Sequence, residues 1–68
     1  MKHRDKAAFY VGKRVRSRFR APWVGTVLRE SDATPQCVYV RVELNRRGCP
    51  MRKPITKHIN VGWLEILA

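Results

Sequence analysis

The stretch Cys37-Val38-Tyr39-Val40-Arg41-Val42-Glu43-Leu44 decides the fold class. A strand turns successive side chains to opposite faces, so Val38, Val40, Val42 and Leu44 share one side, and Cys37, Tyr39, Arg41 and Glu43 share the other. β-branched residues at every second position, with polar residues between them, suit a half-buried pleated surface.

The same reading extends outward in both directions. Trp23 to Glu30 is a second strand, in which Gly25 marks a bulge or a close backbone approach where a small sheet bends. Ser31 to Gln36 is a polar turn. Lys13 to Arg20 alternates strictly, with Val15, Ser17 and Phe19 on one face and Arg14, Arg16, Arg18 and Arg20 on the other, at roughly 7 Å intervals. A helix over this segment would have no apolar face, because Val15 and Phe19 alone are too few. Pro22 ends the strand, since it cannot donate to a ladder. Toward the C-terminus, Asn45 to Pro50 is a turn with Gly48 suited to positive φ. Met51 to Ile59 is a fourth strand, and Pro54 places it at a sheet edge or delays its start to Ile55. Asn60-Val61-Gly62 is a brief turn or one turn of 3₁₀ helix, and Trp63 to Leu67 is a short fifth strand. The N-terminal stretch has no clear periodicity and reads as a mobile basic arm or a short helical turn. The expected organisation is therefore an arm over 1–10 and one all-β domain over 11–68. The expected core is Val15, Phe19, Val27, Val38, Val40, Val42, Ile55, Ile59, Leu64 and Ile66, with Trp63 packed beside it.

The chain has 68 residues and a formal net charge of +10, from 15 Lys plus Arg against 5 Asp plus Glu. That length allows one small core. It excludes a dinucleotide-binding fold, an (α/β)₈ barrel and any multi-motif kinase architecture. No apolar run approaches the ~20 residues of a membrane span, and the basic residues after Met1 lead into no signal-peptide core, so the expected setting is cytoplasmic, away from membranes. Ten of the basic residues are Arg, which holds its charge and presents a fork of donors to phosphate or carboxylate. Crowding like charges on a small domain costs self-repulsion that an anionic partner relieves. Cys37 and Cys49 match no zinc spacing and are expected unpaired in a reducing compartment. No metal or other cofactor is implied. Nor is there a nucleophile–base pair, a carboxylate pair or a phosphate-binding glycine loop, so the chain is expected not to be an enzyme.

Gly12-Lys13-Arg14-Val15-Arg16, Trp23-Val24-Gly25-Thr26-Val27, Val38-Tyr39-Val40-Arg41-Val42 and Trp63-Leu64-Glu65-Ile66 together resemble an SH3-like barrel of the KOW type. The skeleton runs over residues 12–67 and implies a five-stranded barrel. It is shared with the ferredoxin-docking subunit of photosystem I and with type II dihydrofolate reductases. The opening two segments are similar to those of the reductases. The stretch Lys53-Pro54-Ile55-Thr56-Lys57-His58 departs from their V-Q-I-Y-P pore strand, so the resemblance extends to the fold and not to folate or nicotinamide binding.

Three groups of residues are candidates for function. Arg14, Arg16, Arg18 and Arg20 form a stripe able to track successive phosphates, or simply a solvated face that Glu43 and Glu65 partly neutralise from across the ladder. Arg46, Arg47, Arg52 and Lys53 crowd a hairpin loop, and Lys57 extends that patch. Trp23 and Tyr39 are aromatics beside arginines, placed either to stack on unpaired bases or to anchor a loop. The expected function is a non-enzymatic module that binds DNA or RNA. The alternative is a small basic adaptor or inhibitor docking on an acidic protein surface, by a sheet edge. A third, less favoured reading is an oligomeric reductase-like enzyme. The expected state is a monomer or dimer.

Overall fold

The computed structural model describes residues 3–67, with side chains from Ala7 onward. Met1, Lys2 and Ala68, which fall within the expected arm and domain, lie outside the described residues. The chain runs α1 (His3–Tyr10), β1 (Arg14–Ser17), β2 (Val24–Glu30), β3 (Cys37–Leu44), β4 (Pro50–Asn60), a 3₁₀ turn η1 (Val61–Trp63) and β5 (Leu64–Ile66). The five strands form one antiparallel sheet in the order β4-β3-β2-β1-β5.

The fold is all-β apart from α1, and β3 occupies the predicted residues. Val38, Val40 and Val42 are fully buried. Their registered neighbours Ile59, Val27 and Gly25 lie on the same face, and Val15 of β1 pairs Gly25 in turn. This face carries the core, closed by Trp23, Val61 and Leu64.

The order of strands forces the sheet to curl. β4 and β5 are its two edges, and held flat they would lie about 19 Å apart at the usual strand spacing. Only η1 connects them, and Asn60 to Leu64 is four steps, about 14 Å fully extended. The edges must therefore approach each other. Gly25 permits the bend: a Cβ there would overlap the Arg41 carbonyl oxygen and lie 2.9 Å from Val40 Cγ1.

Helix α1 resolves the two readings of the N-terminus in favour of the helical one. Ala7 is buried in the core, Tyr10 packs partly against it, and the helix rests on β2, β3 and η1. Gly12 at φ +82° follows the helix, and its N–H donates to the Val27 carbonyl at 2.9 Å, fastening the helix exit to β2.

Several expectations need correction. The first strand stops at Ser17 rather than Arg20. Ser17 N–H donates to the Trp23 carbonyl at 2.9 Å, and Trp23 N–H donates to Ser17 Oγ at 3.0 Å, so the chain turns at Ser17 instead of extending. Phe19 therefore sits in a loop and is exposed, and Trp63, expected in the core, is 52% exposed at the end of η1. Ile55 is also exposed: it pairs with the buried Val42 but sits on the edge strand, where its side chain lines an open groove. Ile66 is only half-buried at the short β5 edge. Of the two outcomes Pro54 left open, the structure takes the first: the fourth strand is an edge strand, and it starts at Pro50. An edge strand tolerates both prolines because one side of its ladder is free.

Candidate nucleic-acid interface

The arginine stripe is half the length its alternation implied. Arg14 and Arg16 project from β1 on the outer face, whereas Arg18 and Arg20 belong to the loop after it. The outer face is also largely neutralised. Arg14 lies 3.6 Å from Glu43, Arg16 donates to Glu65 at 2.8 Å, and Arg29 lies 3.3 Å from Asp32. The hydrogen bond and charge of Arg16, helped by the charge of Arg18, hold the Glu65 carboxyl below the usual glutamate range against a small opposing effect of desolvation. Arg41, which the sequence reading did not single out, sits in the same outer row: register aligns Arg14, Thr26, Arg41 and Thr56 across four strands. Its signal was present, since Arg41 alternates with the buried valines.

The two candidate aromatics have other duties. Trp23 is 8% exposed and belongs to the core. It is a buried anchor, the second of its two sequence readings, and not an open stacking face. Tyr39 is half-buried, with the Arg29 guanidinium 4.4 Å from its ring centroid and the His58 ring 5.0 Å away. Its neighbours are a cation and an imidazole.

His58 Nε2 lies 2.8 Å from Ser31 Oγ, a pairing invisible in the sequence. The geometry is that of a cap. Ser31 Oγ already accepts from the backbone N–H groups of Ala33 and Thr34, at 3.2 and 3.1 Å, and organises the β2–β3 loop.

The tertiary structure assembles something else at the β3–β4 end. A groove of about 420 Å³ opens there on the core-facing side of the sheet. Trp23, Val42, Met51 and Ile55 supply its apolar lining, and Ala21 approaches it from the β1–β2 loop. Arg46, Arg47 and Lys57 also line it, and no acidic residue does. Asn45 braces the hairpin: its side-chain oxygen accepts from Arg47 N–H at 2.9 Å and Cys49 N–H at 3.1 Å, and Gly48 takes the turn at φ +79°. The cationic loop is therefore a tied turn. Arg52 and Lys53 are exposed on the adjoining part of β4. Among the described residues, none of these five cations lies within 4.0 Å of a carboxylate.

No family model, no curated protein and no solved structure matches this chain. Among the described residues no helix is long and apolar enough to cross a membrane.

Proposed function

We propose that this protein is a non-enzymatic nucleic-acid-binding module built on an SH3-like arrangement of strands. The observation that carries the function is the groove in which Arg46, Arg47 and Lys57 border an apolar lining of Trp23, Val42, Met51 and Ile55 without any acid. Guanidinium and ammonium groups suit the phosphates of a nucleic-acid backbone, and an apolar floor suits the sugar and base between them. The SH3-like reading is supported by the strand order and by the 3₁₀ turn before the closing strand.

The alternative, docking on an acidic protein by strand addition, is less well served. β4 is the long exposed edge, but Pro50 and Pro54 give it no N–H at two positions and Arg52, Lys53 and Lys57 line it with charge. Those are the features that blunt an edge against pairing.

The test is a polarisation titration with single-stranded DNA, duplex DNA and RNA at two salt concentrations. If the three groove cations each neutralise one phosphate, affinity should fall about 20- to 40-fold between 50 and 200 mM salt. No binding to any of the three at low salt would overturn the proposal.

A further inference from the structure

Phe19 and Trp63 form an exposed aromatic pair that the groove does not use. Their ring centroids are 5.1 Å apart and their planes are tilted by 31°. Phe19 is 39% exposed and Trp63 is 52% exposed. Two large apolar rings left together in water, on a domain with so small a core, are a costly surface unless a partner covers them. The pair is also held in place. Arg18 N–H donates to the Trp63 carbonyl at 2.7 Å, which ties the β1–β2 loop to η1. On either side of the pair in sequence stand buried anchors, Ser17 before Phe19 and Leu64 after Trp63.

The charges around the pair indicate its partner. Arg18 and Arg20 flank Phe19, both are exposed, and neither lies within 4.0 Å of a carboxylate among the described residues. The neighbouring acid, Glu65, is engaged by Arg16. Elsewhere the rings carry a cation or pack on the core: Lys13 sits 4.8 Å over the exposed Phe9 ring, Arg29 lies over Tyr39, Tyr10 packs partly against the core, and Trp23 is buried. Phe19–Trp63 is the exposed aromatic surface with free arginines beside it and no cation lying on it among the described residues.

We infer that Phe19 and Trp63 are a stacking platform for an unpaired base, with Arg18 and Arg20 placed for the adjoining phosphates, so that the ligand is a single strand. This rests on the nucleic-acid reading of the groove and narrows it. A duplex keeps its base faces inside its own stack, whereas an unpaired base offers one to an aromatic ring. Stack and groove share one segment: Phe19 is four residues from Trp23, about 14 Å at full extension, and Ala21 between them lines the groove. A short oligonucleotide can reach both.

The experiment uses fluorescein-labelled oligo(dT) and a duplex of equal length, with the intact protein and the variants Phe19→Ala, Trp63→Ala and Trp63→Phe. The single strand is expected to bind more tightly than the duplex. Trp63→Ala should weaken single-strand binding about 5- to 150-fold, and Trp63→Phe should restore most of it. A second reading needs no variant. Trp23 is buried and Trp63 exposed, so acrylamide quenching of the native protein reports mainly Trp63, and bound oligo(dT) should protect it. Equal binding of both ligands, with Trp63→Ala unchanged and Trp63 still quenched, would overturn the platform and leave the groove standing. Binding of neither ligand would overturn the nucleic-acid reading itself.

Discussion

Ser17 and Trp23 bond to each other twice. The Ser17 N–H donates to the Trp23 carbonyl at 2.9 Å, and the Trp23 N–H donates to Ser17 Oγ at 3.0 Å. Ser17 is 2% exposed, so that hydroxyl lies out of reach of water. The pair ends β1, starts β2 and sets where the intervening loop projects Phe19. Ser17→Ala would leave the Trp23 N–H buried without an acceptor, at a cost of about 1–3 kcal/mol. On a domain of this size the melting temperature should fall by roughly 5 °C or more, read by circular dichroism. An unchanged midpoint would show that the loop finds another acceptor.

Gly25→Ala tests the bend of the sheet. The new methyl would overlap the Arg41 carbonyl oxygen and press on Val40 Cγ1 at 2.9 Å. Backbone cannot yield as a side-chain tip can. The loss should be about 3 kcal/mol or more, enough to unfold much of a small domain, and the amide spectrum should lose its dispersion. By contrast, Gly62→Ala meets only Asn60 Oδ1 at 3.1 Å and should fold.

The Arg16–Glu65 pair ties β1 to β5 and predicts a pH dependence. Its folded-state carboxyl is held low by the Arg16 hydrogen bond and charge. A lowered folded pKa means stability that is present above the ordinary glutamate pKa and is lost as pH falls through the folded value. Wild type should therefore lose its advantage over Glu65→Gln below roughly pH 4, and both should melt alike in stronger acid. A constant difference between pH 7 and pH 3 would contradict the pairing.

The cations of the groove and those of the outer face should behave differently. Replacing Arg46, Arg47 and Lys57 together by Ala should flatten the salt dependence of single-strand binding by about two units of log–log slope. Arg29→Gln should leave that slope unchanged, because Arg29 is held by Asp32 and Tyr39. Equal loss from both variants would mean that total charge, and not the groove, carries binding.

The two thiols give a simple check on the packing. Cys37 is buried and Cys49 is exposed at the hairpin, and the two are unbonded. A thiol reagent should modify one cysteine rapidly in the native protein. The second should react only on unfolding, at a rate that reports the opening of β3.

The alternation in Cys37 to Leu44 specified β3 without help, because a period of two with Val38, Val40, Val42 and Leu44 all inward has one good solution. The turn at Gly48, the edge position that Pro54 allowed for β4 and the 3₁₀ turn before the last strand were legible for similar local reasons. Helix α1 was less so: among its described side chains Ala7 and Tyr10 meet the core, too few to mark an apolar stripe. At Phe19 and Trp63 local pattern misled. Alternation carried β1 on to Arg20 and put Phe19 inward, but the Ser17–Trp23 bonds turn the chain first, bringing Trp23 into the core and leaving Phe19 and Trp63 outside.

The sequence by itself determined the charge, the strand-rich character and which residues carry cations, since these depend on composition and on contacts between near neighbours. The tertiary structure alone decided which cations are free. Glu43 and Glu65 lie far along the chain from Arg14 and Arg16, and only the β1–β2–β3 and β1–β5 registers bring them together to neutralise the stripe. The β2–β3 and β3–β4 registers likewise set Ala21 and Trp23 beside Arg46, Arg47 and Lys57. A pairing across the ladder depends on register, and register follows from how the whole apolar face is buried rather than from any one strand.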